Sequence, residues 1–421
     1  MNLQGQFNRT YLNYLASVIL PAIATALVIP LIKNLMGDAL YGRFSLLFNA
    51  TMISSIALTG WLTQSINRFY PSESNKRQLL KKVVSYVFFM LLIVVLPFFF
   101  FANKIGNDYT LSMLMSVSFV CISIQLILFS IAQASFLSRN ILFAESIRTI
   151  SYFLFMALLL IFIPTEGVNV MFIAVIFAYL LAIFFLVTII RKHFNNQGGE
   201  DKEIQQRPQL KKFILYGTPL SLWFVFSNLN TYIDKLFLVR YFNESIQGNY
   251  QALFDFISRG ITLLVSPVLL TLMPLLSKEY EIKKERQVRV FLKKILGYML
   301  LGWLIALLCY QTFAAKFLFL ILHIPQNEDF HKCGLLIIST VFIWQLAMVV
   351  HKLLELKLKT EKMLFFVIIS FLSQCAFYLS MKECSSILIF PFGCLLSSLV
   401  YLVLVSIPLF LSKRNAHPKT S

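Results

Sequence analysis

Residues 167–190 read GVNVMFIAVIFAYLLAIFFLVTII and contain no Asp, Glu, Lys or Arg. A helix needs about 20 apolar residues to cross the roughly 30 Å hydrocarbon core of a bilayer, so this stretch is long enough to span a membrane. The whole chain has the same character: 58% of its 421 residues are hydrophobic and 13% are charged. Its mean hydropathy is +0.76. Soluble globular proteins carry about 25% charged residues, so the composition excludes a soluble fold.

Charge-free runs of this kind recur along the chain and predict twelve transmembrane helices. The runs are Tyr11–Ile32, Phe44–Asn67, Val83–Asn103, Tyr109–Ser138, Thr149–Thr165, Gly167–Ile190, Phe213–Ile233, Gly260–Ser277, Ile295–Ala315, Cys333–Val350, Met363–Met381 and Cys384–Ser412. The seventh run continues through Asp234 and Lys235, and the eighth starts near Gly248 and includes Asp255 and Arg259. Segments of about ten alternating residues, typical of transmembrane strands, are absent. We therefore predict an all-α polytopic membrane protein.

The basic residues predict the orientation of these helices. The chain has 37 Lys and Arg against 19 Asp and Glu, and a net charge of +18 often indicates nucleic-acid binding. If the N-terminus lies inside, however, the cytoplasmic segments hold 28 of the 37 basic residues and the outer loops hold seven. Cytoplasmic loops are enriched in Lys and Arg, so the excess is a topology signal. We predict that both termini are cytoplasmic and that nucleic acid is not a partner.

A polar stretch divides the chain into two similar halves. It contains Gly198, Gly199 and Pro208 and is typical of a solvated linker. The octapeptides GDALYGRF at 37–44 and NESIQGNY at 243–250 lie at an offset of 206 and indicate a parallel repeat. We predict an N-terminal six-helix bundle, a cytoplasmic linker, a C-terminal six-helix bundle and a cytoplasmic tail at residues 1–190, 191–212, 213–412 and 413–421. The two bundles are expected to surround a central cavity.

Four charges fall inside predicted spans: Asp234, Lys235, Asp255 and Arg259. Each charge costs about 2.5–3.5 kcal/mol at a helix centre, so all four are expected to be paired or to face water. Asp255 and Arg259 are at i and i+4, which permits either an intrahelical ion pair or a polar cavity with a central cation. Lys235 has two possible positions, because its long side chain can reach the membrane boundary or point into a lumen.

Uncharged polar residues also follow the predicted spans. Asn49 on span two, Asn228 on span seven and Thr262 on span eight lie in stripes that suggest a water-filled lumen, although such residues also serve helix packing. The five His and six Cys residues have no metal-ligand spacing, and no nucleotide-binding or hydrolase motif occurs. We therefore predict no metal, no cofactor and no catalytic residues.

Several motifs resemble those of a known family. They are Gly37 with Tyr41-Gly42-Arg43-Phe44, Arg68, Tyr216-Gly217-Thr218-Pro219, Asp234, Gly248-Asn249-Tyr250 and Pro274-Leu275-Leu276-Ser277. In order and spacing the chain resembles the Wzx-type O-antigen or oligosaccharide flippases. These form the polysaccharide transporter branch of the multidrug/oligosaccharidyl-lipid/polysaccharide exporter superfamily. The lipid II flippase branch fits less well, because it usually has fourteen spans.

The resemblance implies a function and a set of partners. The protein would move undecaprenyl-pyrophosphate-linked oligosaccharide from the cytoplasmic to the periplasmic leaflet of a bacterial inner membrane by alternating access. Its partners would be this lipid-linked oligosaccharide, membrane lipids, and a polysaccharide polymerase and chain-length regulator. The cargo could be an O-antigen, lipopolysaccharide or other surface polysaccharide unit.

Candidate residues for such a cargo follow from its charge. Arg259 is the first candidate for pyrophosphate binding, with Lys235 and Arg68 as secondary contacts. Arg68 is alternatively one of the cytoplasmic basic residues that set topology. Asp234 or Asp255 either couples transport to an ion or holds a basic neighbour in place.

Two other functions remain open at this stage. The first is a cation-coupled multidrug or small-molecule antiporter, although the first span lacks the acidic residue that some such exporters carry. The second is a membrane polysaccharide polymerase or ligase. That alternative is weaker, because such enzymes generally carry a large basic outer loop and the outer loops here hold only seven basic residues.

Overall fold

The structure is a computed structural model that describes residues 29–70, 76–135, 137–162, 167–196, 210–281, 285–357, 359–381 and 386–411. Most of the predicted first span, part of the predicted linker and the predicted tail 413–421 lie outside these residues. Within the described ranges every regular element is a helix.

The helices follow one another with short connections. They are α1 (29–36), α2 (Asp38–Phe69), α3 (Lys76–Gly106), α4 (Tyr109–Ala134), α5 (Ser138–Phe162), α6 (Gly167–Asn196), α7 (Leu210–Tyr241), α8 (Glu244–Glu281), α9 (Glu285–Cys309), α10 (Ala315–Leu322), α11 (Glu328–Leu356), α12 (Thr360–Ser380) and α13 (Ile389–Leu411). A single π-helical turn, Tyr310–Ala314, joins α9 to α10 without a break.

Nine helical segments in the described ranges are long and apolar enough to cross a membrane, with α9 and α10 together forming one of them. The long helices α7 and α8 carry the predicted intramembrane charges, which lower their hydropathy. Helix α1 is the described end of the predicted first span, whose other residues lie outside the described ranges. The prediction of an all-α polytopic membrane protein is therefore confirmed.

The chain forms two compact units. Of the described residues, those within Leu40–Asn228 form the N-terminal unit, and those before Leu40 or after Asn228 form the C-terminal unit. The sequence-based division at 191–212 stays a prediction, because residues 197–209 lie outside the described part of the chain.

The helices extend further than the charge-free runs. The segment Arg139–Arg148 lies between the fourth and fifth charge-free runs and is therefore a cytoplasmic loop in the predicted topology, but in the structure it lies inside α5. The predicted outer loop Lys316–Lys332 contains α10 and the start of α11. The reason is that a search for charge-free runs ends at the first charge, whereas a helix continues wherever a charge finds a partner or reaches water.

The two octapeptides of the repeat meet inside the C-terminal unit. The Asp38 carboxylate accepts hydrogen bonds from Asn249 Nδ2 at 2.9 Å and Ser245 Oγ at 3.1 Å. It also forms an ion pair with Lys33 at 2.8 Å. Lys33, counted with the outer loops, is buried, and its ammonium also donates to the Leu322 carbonyl at the end of α10. A Cβ at Gly248 would collide with the Asp38 backbone, so glycine is required there for this approach.

Helix α7 approaches α2 just as closely within the N-terminal unit. Gly217 lies against α2, and a Cβ there would collide with the backbone carbonyl of Trp61. Ser65 Oγ donates to the Phe213 carbonyl at 2.6 Å one turn away and fixes the same contact. The glycine of the Tyr216–Pro219 motif therefore allows two helix backbones to touch.

We expect Gly217→Ala to destabilise the protein by about 1–3 kcal/mol, because backbone atoms cannot yield to the added methyl group. The measurement is the thermal unfolding midpoint of the full chain in detergent. Gly297→Ala is the matched control, because a Cβ on Gly297 of α9 has no atom within 4 Å. Equal midpoints for the two variants would contradict the close contact.

Candidate functional site

The centre of the candidate site is the carboxylate of Asp234 on α7. The residue is 2% exposed and lies in the C-terminal unit. Tyr250 on α8 donates its hydroxyl to Oδ2 at 2.8 Å, and Tyr378 on α12 donates to Oδ1 at 2.6 Å. Each carboxylate oxygen thus has a phenol donor from a different helix, which compensates part of the cost of burying the charge.

A glutamine extends this network to α13. Gln374 Nε2 lies 3.0 Å from the Tyr378 hydroxyl, 2.9 Å from the Asn230 carbonyl and 3.3 Å from Cys394 Sγ. The Gln374 amide oxygen has no hydrogen-bond partner among the described residues, and neither amide atom of the buried Asn230 side chain has one. The network therefore combines a carboxylate with one unsatisfied amide oxygen, and oxygen ligands of this kind suit a hard cation.

Lys235 forms the second part of the site. Its Nζ lies 3.5 Å from Asp255 Oδ1 on α8, and the residue is 3% exposed. The ammonium is therefore buried within the C-terminal unit. The structure pairs the Lys235 ammonium with the Asp255 carboxylate, so the positive and negative charges of these two residues cancel.

The third part is the polar face of α8. Asp255, Arg259 and Thr262 lie at i, i+4 and i+7 and so share one face of the helix. Arg259 is exposed. Thr262 Oγ1 accepts a hydrogen bond from Gln345 Nε2 of α11 at 3.3 Å. A cation is thus presented at the surface of α8, beside the neutral Lys235–Asp255 pair.

The remaining candidates belong to the N-terminal unit. Asn49 Nδ2 donates to the Ser45 carbonyl at 2.6 Å, and Asn228 Nδ2 donates to the Phe224 carbonyl at 2.7 Å. Both side chains therefore bond to their own helices. Arg68 is exposed in the last turn of α2, where a cation also interacts favourably with the helix dipole.

The sequence-based reasoning missed a charged cluster in the N-terminal unit. Arg148 Nη2 lies 2.6 Å from Glu145 Oε2 on α5, and Gln125 Nε2 of α4 donates to Glu145 Oε1 at 2.7 Å. The Arg148 guanidinium carbon lies 5.2 Å from the ring centre of Tyr179. The i, i+3 spacing of Glu145 and Arg148 was the available signal, but both residues were assigned to a loop.

Comparison with known proteins places these observations in a family. A family described as "Polysaccharide biosynthesis protein" matches residues 9–280, which is more than half of the chain. The chain belongs to this polysaccharide biosynthesis protein family. A comparison with curated proteins found no match.

Solved structures show how this family member folds. It is similar to a MATE transporter in the bent conformation, with a TM-score of 0.71 and 11% identity over 97% of this chain and 96% of the other. For a mutant of the Vibrio cholerae MATE transporter VcmN, the TM-score is 0.68 and the identity is 15% over 97% of this chain and 96% of the other. For a MOP superfamily transporter from Pyrococcus furiosus, the TM-score is 0.63 and the identity is 12%, with the same coverage of the two chains. These similarities establish the transporter fold.

The Lys235–Asp255 pair should respond differently to single and double substitution. Asp255→Ala removes the carboxylate nearest to a buried ammonium, so we expect a loss of about 2–3 kcal/mol in stability. Lys235→Met in the same chain removes that charge and should restore most of the loss. Thermal unfolding in detergent measures both variants.

The exposed pair of Glu328 and Lys332, 2.7 Å apart on α11, is the matched control. Glu328→Ala should change the midpoint little, because exposed pairs contribute little. If the double variant at Lys235 and Asp255 is less stable than Asp255→Ala, the pairing is not what holds Lys235.

Proposed function

We propose that this family member translocates undecaprenyl-pyrophosphate-linked oligosaccharide from the cytoplasmic to the periplasmic leaflet of a bacterial inner membrane. The observation that carries the proposal is the distribution of charge on α7 and α8. Lys235 is engaged by Asp255, whereas Arg259 is presented at the surface of α8. A pyrophosphate cannot cross hydrocarbon without a matching cation, and an arginine guanidinium binds phosphate with two parallel hydrogen bonds.

The family supports a glycan as cargo. Its description refers to polysaccharide biosynthesis. Separately, the described residues contain no group of three His, Cys, Asp or Glu residues that could hold a metal ion. A transporter rather than an enzyme is the function that this fold suits best. Alternating access between the halves is the motion we propose, as in other transporters built from repeats. A polysaccharide polymerase and a chain-length regulator are the proposed partners that receive the exported units.

We propose that the Asp234 network couples transport to a proton or another small cation. Asp234 is the one buried acid among the described residues of the C-terminal unit, and the unsatisfied amide oxygen of Gln374 belongs to the same network. Binding a cation there would change the hydrogen bonds of Tyr250 and Tyr378, which connect α7 with α8 and α12. The network therefore joins an ion-sensitive group to helices that a transport cycle must move.

A multidrug antiporter is the second candidate function. It is favoured by the similarity to transporters described as MATE family members, some of them as multidrug resistance transporters. It predicts that deletion of this chain sensitises cells to cationic dyes and leaves surface glycans unchanged. A polymerase or ligase is less favoured, because only residues 323–327 separate α10 from α11 where a large outer loop would be needed.

Arg259→Ala and Arg259→Gln should abolish surface polysaccharide while the protein remains abundant in the membrane. The loss of a phosphate-binding guanidinium costs about 1.5–3 kcal/mol, or roughly a factor of ten to a hundred in transport. The readout is gel analysis of extracted polysaccharide beside an immunoblot of the membrane fraction. Arg240→Gln is the matched control, because Arg240 is an exposed arginine at the end of α7. Normal polysaccharide in Arg259→Ala would refute the role of Arg259.

Asp234→Asn separates coupling from structure. The amide keeps one acceptor oxygen and presents an NH2 donor in place of the other, so one tyrosine hydroxyl has to accept instead of donate; the amide cannot titrate or carry charge. If Asp234 couples transport, the variant should keep most of its thermal stability and lose cation-dependent accumulation of lipid-linked oligosaccharide on the outer leaflet. Tyr109→Phe, which removes an exposed hydroxyl on α4, is the control. Unchanged transport in Asp234→Asn would leave Asp234 with an anchoring role alone.

A further inference from the structure

An apolar groove runs along one side of the C-terminal unit. It lies between α8, the continuous α9–α10 span and α11, and has a volume of about 760 Å³. Its walls include Phe256, Leu264, Ile305 and Phe342, and none of the described residues that line it is charged. Ligand sites in proteins typically have volumes of about 300–1,000 Å³, so the groove is large enough for a ligand.

The groove is open, and glycines keep it open. Leu264 and Ile305 line it and are 56% and 53% exposed, so it is accessible from outside the chain. The α9–α10 wall is the least buried of the nine described spans, with 17% of its most apolar stretch buried. Gly260 and Gly302 also line the groove, and a Cβ on Gly260 would have no atom within 4 Å. The side chain missing at Gly260 is therefore space in the groove.

The length of the groove selects between two kinds of lipid chain. Lining residues on α9–α10 extend from Ile295 to Leu318, about 35 Å at 1.5 Å per residue, whereas those on α8 extend from Phe256 to Val268, about 18 Å. The α9–α10 wall therefore matches the full hydrocarbon thickness of roughly 30 Å, and α8 bounds about half of it. A phospholipid acyl chain, which occupies one leaflet, would match the part bounded by α8 alone. A polyisoprenyl chain long enough to reach both leaflets would also cover the rest of the α9–α10 wall.

The charge at the edge of the groove indicates the head group. Arg259 and Gly260 are both exposed. Because they are consecutive, they differ by only about 1.5 Å in height along α8 and by about 100° around it. Because Gly260 has no side chain, a ligand bound at Arg259 can pass over it into the groove. An anionic head on an apolar chain is the chemistry that this arrangement fits.

We propose that the groove binds the polyisoprenyl chain of the transported lipid while Arg259 binds its phosphate; the choice of this lipid rests on the proposed function above. The chain keeps its hydrocarbon environment along the whole groove. The head group can therefore change depth while the lipid remains attached to the C-terminal unit.

The test is photocrosslinking of the full chain, reconstituted in vesicles of phosphatidylethanolamine and phosphatidylglycerol containing undecaprenyl pyrophosphate. A benzophenone amino acid replaces Leu264 in the groove or, as the matched control, Leu304, which is 59% exposed on α9 and does not line the groove. Mass spectrometry gives the ratio of polyisoprenyl to phospholipid products. We expect this ratio to be about tenfold higher at position 264, corresponding to a preference of about 1.4 kcal/mol.

Variants locate the chain and the head group. Gly260→Leu fills the groove and should remove the enrichment and lower surface polysaccharide. Gly297→Leu adds the same side chain outside the groove, where a Cβ has no atom within 4 Å, and should change neither. Arg259→Gln should reduce the enrichment at position 264 if the phosphate holds the chain there.

The outcomes separate this proposal from the proposed function. Enrichment that Gly260→Leu removes supports the groove, even if deletion of the chain leaves surface polysaccharide unchanged and so refutes oligosaccharide transport. Equal ratios at positions 264 and 304 mean that the groove holds bulk phospholipid and overturn the proposal, even if deletion abolishes surface polysaccharide.

Discussion

A charge inside a membrane has to be matched within the protein, and the C-terminal unit is organised around that constraint. The Asp234 carboxylate accepts hydrogen bonds from tyrosine hydroxyl groups on α8 and α12, and Lys235 forms an ion pair with the Asp255 carboxylate of α8. Three helices are therefore held by groups that have no favourable alternative in hydrocarbon. Apolar packing adds to this arrangement but does not select among rotations of a helix, because hydrocarbon surrounds each span in any case.

The same constraint sorts the charges into two kinds. Lys33, Lys235 and Asp234 are nearly inaccessible and are engaged by neighbouring groups, so their first role is to position helices. Arg259 is presented outward on α8, so its charge is available to a ligand. Arg148 in the N-terminal unit lies between these cases, because it is partly exposed yet bound to Glu145 and stacked near Tyr179. Function in such a protein depends on the few charges that the fold leaves accessible.

Sequence alone predicted the all-α membrane fold, because length and apolarity are local properties, whereas the roles of Asp234, Lys235, Asp255 and Arg259 stay predictions. It did not predict Tyr378 as a partner of Asp234, because 144 residues separate them and a tyrosine in an apolar run gives no sign of its contact. It also placed Glu145 and Arg148 in a loop, since a pair of charges interrupts a run without interrupting a helix. Contacts between spans that are far apart in the sequence depend on how the helices pack, and a single sequence does not show that packing.

The π-helical turn at Tyr310–Ala314 has a consequence for how this region evolves. Such a turn accommodates one additional residue within a helix, and each residue of an α-helix advances the face by about 100°. The faces of α10 are therefore displaced relative to a regular continuation of α9. A deletion of one residue here would convert the π-helical turn into a regular α-helical turn and leave Leu318 facing the groove, whereas a deletion elsewhere in α9 would turn the later faces by about 100°. This turn is thus the place where relatives of the chain can differ in length by one residue and keep the same wall.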